Sequence, residues 1–180
     1  MTLEHKFIAL GDSVSVTNGI EISGYASLFG KADQGGDVVE TGAYAASLAT
    51  LAGKGGRVKM LWQHDPAQPI GVWDEVREDA AGLWVKGRIL RDVEKGREAA
   101  ALIEAGAIDG LSIGYRTVRA TKNAKGGRLL SELELWEVSL VTFPMLPDAR
   151  VGAKGDDPAD CTLRELAGVF ETARAVLGHR

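Results

Sequence analysis

Apolar positions along this chain recur mostly with a period of two, the period of a β-strand with one buried face. Ile20, Ile22, Gly24, Ala26 and Leu28 alternate with Glu21, Ser23, Tyr25 and Ser27, so a half-buried strand is expected from Gly19 to Phe29. Phe7 to Leu10 is a short apolar run expected as an edge strand, and Val58 to Trp62 reads as a buried one. Ile70 to Arg77 and Leu83 to Leu90 form a hairpin pattern around Asp79-Ala80-Ala81-Gly82. In the stretch from Asp109 to Tyr115, Leu111, Ile113 and Tyr115 share one face, and Ser112, Gly114 and Arg116 the other. A long strand follows from Leu129 to Phe143. Strict alternation there puts Leu133, Leu135, Glu137, Ser139 and Val141 on one face and Glu134, Trp136 and Val138 on the other.

Two segments switch to helical spacing. After Thr41, a plausible N-cap, Tyr44, Leu48 and Leu51 recur at helical intervals up to Gly53. From Asp92 to Gly106, Ala99, Leu102 and Ile103 make a narrow stripe, with Asp92 as cap and Gly106 at the end. Pro144 and Pro147 end the last strand, an acidic small-residue linker runs from Lys154 to Asp160, and a final helix is expected from Thr162, where Glu165 completes a capping box. Its stripe is Leu163, Leu166, Ala167, Phe170, Ala173 and Leu177. The fold expected is mainly β with flanking helices (α+β). Residues 1–152 form one domain, and residues 153–180 the acidic linker and amphipathic helix.

Composition narrows this picture. At 180 residues the chain holds one sizeable core, and 23 glycines against five prolines favour turns and strands over a helical bundle. A net charge of −4 argues against nucleic acid as a direct partner. The single cysteine, Cys161, excludes an internal disulfide and a cysteine-rich metal site. With neither a long apolar run nor an apolar leader, a cytoplasmic chain without membrane contact is expected. No phosphate loop or metal-ligand spacing is present, so no cofactor is expected.

The chemistry rests on a few side chains. Ser112 lies between Gly110 and Gly114, glycines that leave room above its hydroxyl for a substrate backbone. The plain alternative is an ordinary strand serine beside bulge glycines. A serine nucleophile needs a base and a group that orients the base. Of the three histidines, His5 and His179 are near the ends, which leaves His64, placed where Pro66 is expected to break a strand into a loop. For the third position Glu137 stands out as a carboxylate on a mostly apolar strand face, which an ion pair with an imidazolium would explain. Glu134 and Asp65 are weaker candidates. The G-x-S-x-G run also fits a nucleophile elbow, but an elbow needs a helix after the serine, and Tyr115 to Arg119 continues as β.

Several pieces then fall in one order: Gly24-Tyr25-Ala26-Ser27-Leu28-Phe29-Gly30, Gly42-Ala43-Tyr44, Leu61-Trp62-Gln63-His64-Asp65, Ile70-Gly71, Gly82-Leu83-Trp84-Val85, Gly110-Leu111-Ser112-Ile113-Gly114-Tyr115, and Glu137-Val138-Ser139-Leu140-Val141-Thr142-Phe143-Pro144. In these the chain resembles the prohead (procapsid maturation) proteases of tailed phages with HK97-type capsids. The resemblance implies a closed β-barrel related to herpesvirus assemblin. It also implies serine endopeptidase activity within the immature procapsid in the host cytoplasm. The peptide substrate it implies is scaffold, or a scaffold-like N-terminal extension of the major capsid protein, and often the protease itself. By position, His64 is the base and Ser112 the nucleophile. The herpesvirus relatives use a second histidine as third member; none is available here, and Glu137 takes that place. The oxyanion donors stay open between backbone amides near Ser112 and the loop after Pro144. The terminal helix, outside the matching stretch, is a candidate contact between copies or with scaffold, or a segment removed on maturation, and a homo-oligomer is expected. The alternative from another class is a catalytically inactive capsid-assembly module that keeps the fold for binding.

Overall fold

The computed structural model describes residues 4–9, 15–17, 21–123 and 126–143, with side chains from Glu21 onward. The division at residue 152, the acidic linker and the terminal helix lie outside the described residues. Among the described residues nine strands make one sheet: β1 (Glu4–Ala9), β2 (Ser15–Thr17), β3 (Glu21–Leu28), β4 (Val38–Val39), β5 (Lys59–Trp62), β6 (Asp65–Glu78), β7 (Gly82–Ile89), β8 (Gly110–Lys122) and β9 (Arg128–Val141). The helices among the described residues, α1 (Ala45–Gly53) and α2 (Glu94–Glu104), flank it. The pairing order is β1-β8-β9-β5-β6-β7-β3-β2, with β4 beside β9. Only β4 and β5 run parallel to β9.

The sheet curls until β3 faces β1 and β8, yet among the described residues no ladder joins the two ends. The closed barrel implied by the resemblance is therefore corrected to an open, half-barrel sheet. The last edge strand, β2, has only three residues, and a short edge offers too little ladder to pair across the gap. Inside the curl lie Ile22, Met60, Ile70, Val85, Ile113 and Val138. The buried Trp73 Nε1 donates to the Val138 carbonyl at 3.2 Å, tying β6 to β9 across β5.

The helices end as the glycines suggest but begin differently. Gly106 has φ +69°, and the bonds from Gly106 N–H to the Ile103 carbonyl and from Ala107 N–H to the Leu102 carbonyl form a Schellman end to α2. Neither Thr41 nor Asp92 caps by its side chain; the N-cap positions are Tyr44 and Val93. At α1, the Glu78 carboxylate arriving from β6 accepts from the Gly42 and Tyr44 amides instead, so the helix start is satisfied by tertiary contact. Helix α1 also runs through Gly53 and turns at Gly55, whose φ is +65°.

The second helix segment, β3, the β6–β7 hairpin and the β8–β9 pair appear as expected, with strands β2 and β4 added. Pro66 does not break the chain into a loop. It sits within β6, where Trp62 pairs with Asp65 and Leu61 with Pro69, so that Pro66, Ala67 and Gln68 bulge out between two rungs. A bulge needs no amide from Pro66, which is why proline is tolerated there.

Candidate active site

Strands β8 and β9 carry the site. Ser112 stands directly across from Ser139, and Gly114 across from Glu137. Facing residues of an antiparallel pair share a face with Cβ atoms about 4.5–5.5 Å apart. Their strand neighbours Leu111, Ile113, Val138 and Leu140 point the other way, into the core. The expected alternation along β9 fails at two points, at Ser131, which the register skips between Leu130 and Glu132, and beside the site. Tyr115 pairs with Leu135 and Gly114 with Glu137, so Trp136 is a bulge residue. Leu133 and Leu135 face the core, while Glu137 and Ser139 are turned onto the opposite face with Ser112. Glu137 thus does not share the face of Leu133 and Leu135, as strict alternation predicted.

His64 reaches this face through a two-residue turn. Trp62 and Asp65 close the β5–β6 connection, and Gln63 and His64 between them have φ of +50° and +62°. Positive φ at both central residues is the pattern of a type I′ turn. Each such non-glycine residue costs about 1–2 kcal/mol. Side chains hold it there: Gln63 Nε2 donates to Thr142 Oγ1 at 2.6 Å, and the His64 amide donates to Ser139 Oγ at 3.2 Å. The turn folds the imidazole back over β9.

There His64 Nδ1 meets Glu137 Oε1 at 2.6 Å. A carboxylate accepts and does not donate, so this contact puts the ring proton on Nδ1 and leaves Nε2, which is closed to solvent, with a lone pair. The other carboxylate oxygen, Oε2, accepts from Ser139 Oγ at 2.5 Å. Ser112 is fully buried and Glu137 is 3 % exposed. The structure therefore brings His64 and Glu137 into contact and places Ser112 on the face that carries Glu137, across from Ser139. The weaker candidates are engaged elsewhere. Asp65 accepts from the Ala67 amide at 2.8 Å and Gln68 Nε2 at 2.6 Å, and Glu134 accepts from Arg116 Nε at 2.7 Å.

Two residues carry parts that sequence reasoning did not assign. Ser139 links the His64 backbone to the Glu137 carboxylate, and its signal was its place two residues beyond Glu137 on one strand face. Gln63 clamps the turn. Gly114 also has a different job from clearing substrate space: a Cβ there would lie 1.9 Å from Glu137 Oε1. Gly114 makes room for the carboxylate. Gly114→Ala is accordingly expected to destabilise the protein by about 1–3 kcal/mol and to push Glu137 off His64. A thermal melt beside a cleavage assay checks both, and a variant with wild-type melting and rate would contradict this packing.

Among the described residues, no group of three histidine, cysteine, aspartate or glutamate side chains is placed to hold a metal ion. The arrangement is one that can take a proton from a hydroxyl and hold the resulting positive charge against a buried carboxylate. Pro144 and the chain beyond it, one of the expected sources of oxyanion donors, lie outside the described residues.

Comparison with known proteins gives concordant results. A family model described as caudovirus prohead serine protease matches residues 11–160. The prohead protease of Enterobacteria phage HK97 is 30% identical over 146 residues, covering 79% of this chain and 64% of that protein. The prohead protease of Escherichia phage T5 is 30% identical over 139 residues, covering 77% of this chain and 64% of that protein. The chain thus spans 64% of the length of these curated relatives. Among solved structures, the bacteriophage T4 capsid assembly protease superposes with a TM-score of 0.64 over 79% of this chain and 98% of that one, at 16% identity. At that identity the likeness concerns the fold.

Proposed function

The chain belongs to the caudovirus prohead serine protease family, and from that premise we propose that it is a serine endopeptidase of capsid maturation. In this reading Ser112 is the nucleophile, His64 the general base and Glu137 the group that orients and charges the imidazole. The observation that carries the reading is the 2.6 Å contact of His64 Nδ1 with a buried Glu137, on the same face as a buried Ser112. A module that only binds has no use for a desolvated imidazole–carboxylate pair, whose burial costs several kcal/mol unless compensated.

In this reading the steps are as follows. His64 Nε2 takes the Ser112 Oγ proton as Oγ bonds to the carbonyl carbon of a peptide. Glu137 stabilises the imidazolium without accepting its proton, and Ser139 keeps the carboxylate from swinging away. The imidazolium then gives the proton to the leaving amide nitrogen as the C–N bond breaks. Water, deprotonated by the same His64, releases the acyl group. The substrate in this reading is scaffold, or the N-terminal scaffold-like extension of the major capsid protein, together with the chain itself, cleaved inside the immature procapsid.

Intact mass of the chain and of its own major capsid protein, after co-expression, tests this. Trimming of either with Ser112 present and in neither with Ser112→Ala is the expected result. Equal trimming by both chains would overturn the assignment of Ser112.

A further inference from the structure

The face that carries Ser112 does not end at Gly114. It continues along β8 to Arg116 and Val118 and along β9 to Trp136, where it opens into a groove of about 480 Å³ walled by α1. Lys59 stands opposite Glu137 in the β5–β9 register and so projects on the same side. Leu51 of α1 and Lys54, which caps the end of that helix, form the far wall. The groove is apolar at its centre, where Trp136 is 43 % and Val118 51 % exposed.

Its charge is lopsided. Glu134 and Glu132 at the groove are engaged by Arg116 and Arg119. Among the described residues Lys54 and Lys59 have no carboxylate partner. In a chain of net charge −4, this leaves a local positive excess beside an exposed indole. An apolar surface with uncompensated cations matches an apolar side chain next to an acidic one.

We infer that this groove is a substrate subsite that takes an extended peptide segment bearing an aliphatic or aromatic residue beside an aspartate or glutamate. The inference rests on the protease reading above. The groove lies along the β8 face that carries Ser112 and begins at Arg116. Arg116 is four positions along β8 from Ser112, with three residues between them; at about 3.3–3.4 Å per residue, for strand and extended peptide alike, the segment in the groove lies roughly three to five residues from the bond attacked by Ser112. Trp136 stacks on the apolar side chain, and Lys54 and Lys59 pair with the carboxylate. The bulge that turns Glu137 toward His64 is also what presents Trp136 to the groove, so one irregularity in β9 serves both sites.

The test is cleavage of a proteome-derived peptide library by the full chain, read by mass spectrometry against the Ser112→Ala chain as blank. The expected result is Ser112-dependent cleavage with apolar and acidic residues enriched three to five positions from the cut. With Lys54→Glu and Lys59→Glu combined, the acidic preference is lost or inverted, a change of roughly tenfold in relative rate. Trp136→Ala lowers the apolar preference and leaves the acidic one. Ser112-dependent cleavage with no preference at those positions, or one that the charge reversals leave untouched, overturns the subsite and leaves the protease standing. The same holds if the reversals change only the oligomeric mass, which assigns the groove to a contact between copies. Absence of any Ser112-dependent cleavage instead overturns the protease reading and the subsite with it.

Discussion

The Ser112→Ala chain is expected to fold like the wild type and to lose at least about 10⁴-fold of its cleavage rate. Ser112 is fully buried within a regular part of β8, between neighbours that point into the core. Removing one hydroxyl from that site alters neither the ladder nor the core packing of Leu111 and Ile113. Its loss removes the atom that would bond to the carbonyl carbon, and no other hydroxyl can take its place. Ser139 is the nearest serine by register, but its Oγ already accepts from the His64 amide and donates to Glu137. Thermal melting shows whether the fold is kept, and the rate of appearance of trimmed product shows the loss. A variant that melts normally and cleaves within tenfold of the wild type would contradict this account.

Glu137→Gln carries the second large effect. A glutamine keeps the volume that Gly114 makes available and can still meet both His64 and Ser139. It has no charge to hold the imidazolium, and its amide can turn N–H toward Nδ1, which favours the tautomer with the proton on the wrong nitrogen. The expected fall is about 10³–10⁴-fold in kcat with KM little changed, because the loss appears only when His64 becomes charged. Steady-state kinetics on any peptide that the wild type cleaves separates the two constants. A fall confined to KM would mean that Glu137 contacts substrate and does not act through His64.

Much of this arrangement could be read from the sequence, and the failures have physical causes. Alternation found β3, the β6–β7 hairpin and the β8–β9 pair because each is long enough for a period of two to show. Strands β2 and β4 have three and two residues, too few for any period; β2 pairs with the neighbouring β3, and β4 with β9, distant in sequence. His64, Ser112 and Glu137 were each singled out, and the structure brings His64 and Glu137 together. The reason given for Glu137 was nonetheless incorrect. Alternation placed it beside Leu133 and Leu135, whereas the bulge at Trp136 puts it on the other face, and nothing in the local sequence announces a bulge there. The His64 turn was equally illegible. Its positive φ values arise from contacts of Gln63 and His64 with Thr142 and Ser139, more than seventy residues away. Gly114 was read as space for substrate because a glycine beside a serine says only that room is needed, not for whom.

The stretches Leu61-Trp62-Gln63-His64-Asp65 and Glu137-Val138-Ser139-Leu140-Val141-Thr142 turn out to be two halves of one structure. β5 and β9 pair in parallel through them, Gln63 locks onto Thr142, and His64 locks onto Glu137 and Ser139. The groove at Trp136 lies at the end of the same row. The elements that position the site are thus those that carry the family resemblance.

The central claim is that Ser112 is a nucleophile activated by His64 and Glu137, and labelling with a fluorophosphonate tests it most directly, since that reagent needs no peptide substrate. The wild-type chain is expected to gain one phosphonyl group, mapped to Ser112 by peptide mass, and the rate is expected to fall at least about 100-fold in His64→Ala and in Glu137→Gln. An adduct on another residue, or labelling of Ser112 at an unchanged rate without His64, would contradict it.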